Sequence, residues 1–304
     1  MNFGAYTDAD DACRIMDHAL ENGINFFDTS NTYGHPRAEG VTEQIIGKWL
    51  AGGQGRRDRT VLATKLYGGK GEWPNDMHLS ALNIRRSCED SLRRLGTDHI
   101  DLYQMHHVDR ATPWEEIWEA MGVLRAQGKV IYVGSSNFAG WHIAQAQEAA
   151  ARHRALGLVS EQSLYNLAVR AVELEVLPAC LGYGLGVLPW SPLHGGLLAG
   201  ILRKEPGAGR SGGGRAAEAL TGRRAQVEAY EAFCAELGED PAQVGLAWLL
   251  QQPAVTAPIV GPSGLGQLDG ALRAMTIRLD EAALGRLDEI FPGPGGAAPE
   301  AYAW

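Results

Sequence analysis

Short apolar runs alternate with longer segments of helical period along the whole chain. The runs read INFFD at 24–28, TVLATK at 60–65, IDLYQMH at 100–106, VIYVGSS at 130–136, LVSEQ at 158–162, GVLPW at 186–190 and APIVG at 257–261. Their length and β-branched content predict buried strands. Between them, apolar residues recur every three or four positions. Ala12, Ile15, Met16, Ala19 and Leu20 build one such stripe, as an amphipathic helix requires. Two helix starts are explicit: Thr112-Pro113-Trp114-Glu115 and Asp240-Pro241-Ala242-Gln243. Each sets a capping side chain before a proline at the first helical position, where a missing N–H costs nothing. Gly23 and Gly128 stand where helices should stop.

Strand-then-helix units recurring every ~28–40 residues predict parallel strands with crossover helices. With no change of composition regime, the fold class is α/β and the architecture a (β/α)8 TIM barrel in a single domain, 1–304. A doubly wound sheet would carry G-x-G-x-x-G after an early strand; GYGLG at 182–186 instead precedes one. Only MNF stands before the first helix, so the first barrel strand is expected to be truncated and to lack a preceding hairpin. The segment 195–224 breaks the rhythm. It is Gly-rich and basic, with Arg203, Lys204, Arg210, Arg215, Arg223 and Arg224 against Glu205 and Glu218. Following the run at 186–190, it is expected at the barrel's C-terminal face, as a solvated loop or as a cationic lid over a phosphate-bearing ligand.

Composition narrows the field. Of 304 residues, 45% are hydrophobic, which excludes a disordered chain. A net charge of −9 argues against nucleic acid or anionic membrane as partner. No apolar run approaches a membrane span, and the acidic start does not read as a signal peptide. Cys13, Cys88, Cys180 and Cys234 lie far apart without a C-x-x-C pair. The expectation is free thiols in a cytoplasmic protein. Nothing in the sequence marks an oligomeric interface.

Ionisable residues at strand ends carry the candidate chemistry. Asp28 closes one run, Tyr33 follows in its loop, Lys65 closes the next run and His106 the one after. A phenol alone, with a pKa of about 10, trades protons poorly at neutral pH. A neighbouring Lys65 ammonium is expected to lower that pKa, and Asp28 to hold the ammonium charged. His106 would polarise or orient a carbonyl oxygen. Such a set protonates oxygen while hydride reaches carbon, and side chains supply no hydride, so a nicotinamide is implied.

The motifs GINFFDTSNTYG, VLATKLYG, DLYQMHHVD, VGSSNF, SEQSLYN and PWSPLHGGLL, in this order, resemble the aldo-keto reductase superfamily over essentially the whole chain. The resemblance implies that Tyr33 is the general acid/base, tuned by Lys65 and Asp28, with His106 orienting the carbonyl. It implies nicotinamide contacts at Ser136, Asn137 and Gln162, and a ring-stacking Trp190. It further implies a pyrophosphate loop from Ser191 through Leu193 and Gly195, and an adenosine-side site at Gly261, Ser263 and Gln267. Amide and hydroxyl groups match the donor and acceptor of a carboxamide. Relatives commonly carry Arg at the place of Ser263, with Gln267 and Arg273 left nearby here; the basic segment is expected to substitute. NADPH is therefore the expected cofactor, with NADH as the other candidate. His107, Trp73 and Trp141, with Tyr302 and Trp304, are candidate pocket walls. The run His106-His107 with Asp109 lacks further strand-end ligands, so no metal is expected.

The leading expectation is an NADPH-dependent reductase of a small-molecule aldehyde or ketone. DLYQMHHVDRATPWEEIW and FPGPGGAAPEAYAW resemble bacterial members, some linked to deoxysugar pathways, which implies a keto or enoyl group on a nucleotide-linked deoxyhexose as a narrower substrate. Two alternatives remain. One is an NADP-binding regulatory or redox-sensing subunit with slow turnover, as in potassium-channel β-subunits of this fold. The other is a barrel isomerase or hydrolase without nicotinamide.

Overall fold

The Asp8 carboxylate accepts a hydrogen bond from the Asp11 backbone N–H at 2.8 Å, and helix α1 (Ala9–Glu21) starts there. A carboxylate in this place satisfies one of the orphan donors of the first turn. The predicted stripe is buried at Ala12, Ile15, Met16 and Ala19. Ile15 and Ala19 pack with Leu268, Phe3, Ile24 and Phe27.

The computed structural model describes residues 2–34, 40–68, 73–203 and 215–302. The chain forms two units, each described by itself. The first comprises Met1–Glu161, Tyr183–Leu185 and Gly261–Leu268, and the second Gln162–Gly182, Gly186–Val260 and Asp269–Trp304.

In the first unit, α1 is followed by β1 (Phe26–Asp28), α2 (Val41–Ala51), α3 (Arg56–Arg59), β2 (Val61–Leu66), α4 (Ala81–Leu95), β3 (Ile100–Met105), α5 (Trp114–Ala126), β4 (Val130–Ser136), α6 (Gly140–Arg152) and β5 (Leu158–Gln162). The strands lie side by side in chain order. The first four pair in parallel, with Asp28 opposite Ala63 and Lys65 opposite Gln104. Leu62, Ala63, Leu66, Leu102, Tyr103 and Met105 are all buried, the pattern of parallel strands covered on both faces. Gly134 in β4 is demanded by packing, since a Cβ there would stand 2.6 Å from the Ser160 hydroxyl and 3.1 Å from Leu102.

The second unit holds α7 (Val176–Tyr183) up to Gly182, β6 (Gly186–Val187), α8 (Arg215–Leu237), α9 (Pro241–Leu250), the part of α10 (Leu265–Ala274) from Asp269 onward, and α11 (Glu281–Ile290). Its core includes Tyr165, Trp248, Tyr230 and Phe291. Tyr165 meets Trp248 edge-on at 5.3 Å, and Arg170 lies 5.1 Å over the same indole.

Several expectations need correction. Six strands alternating with helices are regular among the described residues, against the eight of a full (β/α)8 barrel. The run at 186–190 is regular only over its first two residues, and the run at 257–261 is not a strand. The two still travel together: the N–H groups of Thr256 and Ile259 donate to the carbonyls of Val187 and Pro189 at 2.9 and 2.8 Å. Pro189 and Pro258 have no N–H to continue the ladder. The six strands are consistent with a truncated (β/α)8 barrel, and among the described residues no regular strand precedes α1. Residues 2–7 make a turn in which the Asn2 carbonyl accepts from Ala5, Tyr6 and Thr7.

The helix start at 112 is shifted by one. α5 begins at Trp114, and the Thr112 hydroxyl donates to Asp109 at 2.6 Å instead of capping. The start at 240 is as expected, with Asp240 accepting from the Ala242 N–H. Within the basic segment, residues 204–214 lie outside the described ones, and from Arg215 onward it is helix α8 rather than loop. All four cysteines are free, three of them buried. Among the described residues no helix is long and apolar enough to cross a membrane.

Candidate active site

The C-terminal ends of β1, β2 and β3 bring Asp28, Lys65 and His106 together. Lys65 is fully buried, and its Nζ donates to Asp28 Oδ2 at 2.5 Å and to the Thr29 carbonyl at 2.9 Å. The other carboxylate oxygen of Asp28 accepts from Gln104 Nε2 at 2.9 Å. Tyr33 reaches the same point from the loop after β1. Its ring centroid lies 4.8 Å from Lys65 Nζ, and its hydroxyl 3.5 Å from His106 Nε2. The backbone holds this loop in place: the Tyr33 N–H donates to the Ser30 carbonyl at 3.2 Å, and its own carbonyl accepts from Thr42 at the start of α2 at 3.1 Å. His106 is fastened by its N–H on the Leu66 carbonyl at 2.9 Å, and its Nδ1 faces Ser30 Oγ at 3.4 Å.

Burial sets the charge states. It pushes the Tyr33 phenol above the ordinary tyrosine value; the Lys65 ammonium pulls it down without overcoming burial, and Asp28 adds to the rise. The expected acidified phenol is therefore not the resting state of the protein. Desolvation works against the Lys65 charge too, yet Asp28 and Tyr33 hold the ammonium above its ordinary pKa. His106 is driven down to about 3 by burial first, then by Lys65 and His107, against Asp28. At neutral pH the cluster thus holds a protonated phenol, a charged ammonium and a neutral imidazole. A neutral phenol beside a buried cation is a proton donor whose anion is already stabilised.

Sequence reasoning missed three supporting residues. Gln104 lies two positions before His106, on the same strand face, so the alternation within β3 was an available signal. Ser30 had none, because its role comes from how a loop folds back. Glu161 is fully buried and accepts from the Phe138 N–H at 3.0 Å and from the Ser135 hydroxyl. It braces the turn that carries Ser136 and Asn137.

The other candidates fall in separate places. In the first unit Asn137, at φ 61°, donates from Nδ2 to the His106 carbonyl at 3.1 Å and to Ser136 Oγ at 3.0 Å. Both residues therefore adjoin the cluster. Gly261, Ser263 and Gln267 are exposed. The Gly261 carbonyl accepts from Asn2, and Gln267 Oε1 accepts from the Ser263 N–H at 2.9 Å. In the second unit Gln162 is buried, Trp190 is half-buried, and the Trp190 N–H donates to Ser163 at 2.9 Å. Ser191, His194, Gly195 and Gly196 all have positive φ around the half-buried Leu193, and Ser191 Oγ accepts from the Gly195 N–H at 3.1 Å. Arg273 is committed to Glu239 at 2.6 Å, so it is not the spare cation the sequence suggested.

Of the expected pocket walls, His107 stacks on His106 at 5.2 Å and 8°, with Tyr67 edge-on to it. Trp73 and Trp141 are 76% and 51% exposed, with Trp141 lying against His142 at 3.6 Å; Trp304 and the Tyr302 side chain lie outside the described residues. Asp109 is spent on Thr112 and on the backbone of Leu79 and Ala111. Among the described residues no group of three His, Cys, Asp or Glu side chains is placed to hold a metal.

Comparison with known families matches residues 1–291 to the Aldo/keto reductase family. The chain belongs to that family. An aldo/keto reductase relative, the uncharacterized oxidoreductase YrpG of Bacillus subtilis (strain 168), is 53% identical over all of this chain and 94% of its own length. Versiconal hemiacetal acetate reductase of Aspergillus parasiticus is 33% identical over 91% of this chain and 85% of its own. A probable voltage-gated potassium channel subunit beta of Arabidopsis thaliana is 32% identical over 99% and 93%. The chain is an oxidoreductase of this family, whose members generally use nicotinamide cofactors.

Proposed function

We propose that this aldo/keto reductase converts an aldehyde or ketone to the alcohol with NADPH, Tyr33 giving the proton. The observation that carries the reading is one buried Lys65 ammonium held between Asp28 at 2.5 Å and the Tyr33 ring at 4.8 Å. Tyr33 donates its proton to the carbonyl oxygen as charge develops there. Lys65 stabilises the phenolate left behind, and Asp28, pinned by Gln104, keeps Lys65 charged throughout. Neutral His106, 3.5 Å from the Tyr33 hydroxyl, orients the oxygen that receives the proton.

No side chain carries a hydride, and that part of the chemistry comes from the nicotinamide when it is bound. The residues present suit such a group. In the first unit Ser136 and Asn137, which adjoin the cluster, offer the hydroxyl and amide partners of a carboxamide. Trp190 offers a stacking face. The left-handed run through Ser191, His194, Gly195 and Gly196 is of the kind that turns backbone N–H groups toward an anion, which suits a pyrophosphate.

The test is NADPH consumption over small aldehydes, diketones and keto-sugars, with Tyr33→Phe as control. A carbonyl substrate oxidising NADPH in the wild type, but not in the variant, supports the reading. Turnover unaffected by the substitution refutes Tyr33 as donor. Arg273 being committed weakens the case for a 2′-phosphate, so KM values for NADPH and NADH belong in the same experiment, and equal values would remove the preference for NADPH. A relative named for a reductase of a hemiacetal acetate keeps oxygenated substrates in the screen beside deoxysugars. A relative named as a channel subunit supports the second reading, a tightly held NADP with slow turnover. Single-turnover oxidation of bound NADPH by a reactive aldehyde separates the two.

A further inference from the structure

We propose that Arg110, set beside a wall of rings that runs outward from His106, is a specificity residue selecting a ring-bearing carbonyl substrate with an anionic group, a carboxylate or a phosphoryl. The substrate class rests on the reductase reading; the anion subsite does not. Four rings follow one another away from the candidate proton donor. His107 lies parallel to His106 at 5.2 Å and 8°, Tyr67 stands edge-on to His107 at 5.2 Å, and His78 is tilted against Tyr67 at 5.0 Å. His107 and His78 are exposed and Tyr67 is half-buried. The backbone holds these rings in place. His78, at a left-handed φ of 67°, donates its N–H to the Tyr67 carbonyl at 2.8 Å, and its own carbonyl accepts from Asn83 Nδ2 at 2.7 Å. A non-glycine residue in that conformation is strained, and such strain persists only where surrounding bonds over-determine it. Asp109 ties the same segment to the loop after β3. Its carboxylate accepts from the Leu79 and Ala111 N–H groups at 3.1 and 2.9 Å and from the Thr112 hydroxyl at 2.6 Å. The result is a braced rim of ring faces beside His106, on which a substrate ring can pack.

Arg110 follows Asp109 on this rim, and the acids near it in the chain are engaged elsewhere. Asp109 is filled by the three donors just named. Glu115 is turned to Arg152 at 3.5 Å, and Glu116 accepts from the Ala81 N–H at 2.8 Å. Arg110 is exposed and has no hydrogen-bond or ion-pair partner among the described residues. Its charge is felt on both sides. The Tyr67 phenol is raised by burial and by Asp109, with Arg110 pulling it down; His142, at the start of α6, is lowered by burial and then by Arg110. The guanidinium thus stands between the loops that follow β2 and β4, on the side of the sheet where Tyr33, Lys65 and His106 meet. Lys65 there is already bound to Asp28, and burial keeps His106 and His107 neutral at pH 7. In a chain of net charge −9 this is a local positive field. A guanidinium fork matches a carboxylate or a phosphoryl in both shape and charge. A substrate whose carbonyl meets Tyr33 and whose ring lies along His107 and Tyr67 carries its far substituent toward Arg110.

The test is calorimetric titration of the full chain with NADP+ present, so that no reduction occurs. The probes are para-carboxybenzaldehyde, para-formylphenyl phosphate and the uncharged methyl ester of the first. Both anions are expected to bind about tenfold more tightly than the ester, and the advantage should shrink at high salt. Arg110→Gln is expected to abolish the advantage by weakening the anions to the level of the ester, and Arg110→Lys to restore part of it. Tyr67→Ala is expected to weaken acid and ester alike, by about threefold to tenfold. Equal affinities for acid and ester in the wild type, or an advantage that survives in Arg110→Gln, overturns the proposal. Of the two anions, the tighter one identifies the group that the subsite is built to take. Titration needs no hydride transfer, so an Arg110-dependent advantage in a protein that oxidises no NADPH would keep the subsite and refute only the reductase reading. Turnover of acid and ester at equal KM, unchanged in Arg110→Gln, would refute only the subsite.

Discussion

Among the described residues of the first unit, two buried ion pairs look alike in cost and differ in use. Lys65 and Asp28 are 0% and 5% exposed, and Arg94 and Glu43 are 13% and 0% exposed. Burying either pair carries a desolvation penalty that attraction and hydrogen bonding must offset. The Arg94–Glu43 pair is closed. Glu43 accepts from Arg94 Nε at 2.6 Å and from the Thr64 hydroxyl at 2.6 Å, and a Cβ on Gly40 would collide with the guanidinium at 2.4 Å. No proton changes hands there. The Lys65–Asp28 pair is open on one side, where the ammonium faces the titratable ring of Tyr33. A buried pair that directs part of its charge at a proton donor is a chemical device, whereas one whose groups all face each other is a rivet between α2, β2 and α4.

That contrast can be broken most directly at Tyr33. Tyr33→Phe removes the proton donor and should lower kcat by about 10²–10⁴-fold, while titrating NADPH against tryptophan fluorescence should show near-normal binding. Retention of most of kcat would make the two pairs functionally equivalent. Lys65→Met strips the open pair and leaves Asp28 charged and buried. It should cost about 3–5 kcal/mol in urea unfolding and abolish turnover per folded molecule. Glu43→Gln weakens the closed pair, with an expected loss of about 3 kcal/mol and kcat within a few-fold of wild type. If Glu43→Gln silenced turnover as Lys65→Met does, the closed pair would not be a mere rivet.

A smaller effect sharpens the electrostatic side. The folded pKa of His106 lies near 3, below the 6.5 of the unfolded chain. Between these values the unfolded state binds the extra proton, so His106 contributes stability that is fully present above pH 6.5 and is lost as pH falls toward 3. Wild type should therefore lose more stability than His106→Asn between pH 7 and pH 5. Parallel urea melts at the two pH values measure this, and equal losses would mean that the imidazole is not desolvated as described.

Much of this was legible in the chain. The stripe on α1 and the strand runs at 100–106, 130–136 and 158–162 were readable because side-chain periodicity is a local property. The strand-end positions of Asp28, Lys65 and His106 followed from the same pattern, since consecutive βα units deliver consecutive strand ends to one side of a sheet. The run at 186–190 was read as longer than it is, and the run at 257–261 was misread, because apolar content hides the effect of proline on a hydrogen-bond ladder. Thr112 was misread because Asp109 competes for its hydroxyl, and that competitor is visible only in the folded turn.

Periodicity and residue type by themselves determined the alternation of strands and helices, the family resemblance, and the gathering of a carboxylate, a phenol, an ammonium and an imidazole. Which charge each group carries was decided only by the tertiary structure. Desolvation depends on everything packed around a group, and here it outweighed the single neighbour, Lys65, that the sequence pointed to for Tyr33. The same is true of Ser30 and Gln104, whose partners lie 76 residues away in each case and meet them only because parallel strands set distant segments edge to edge.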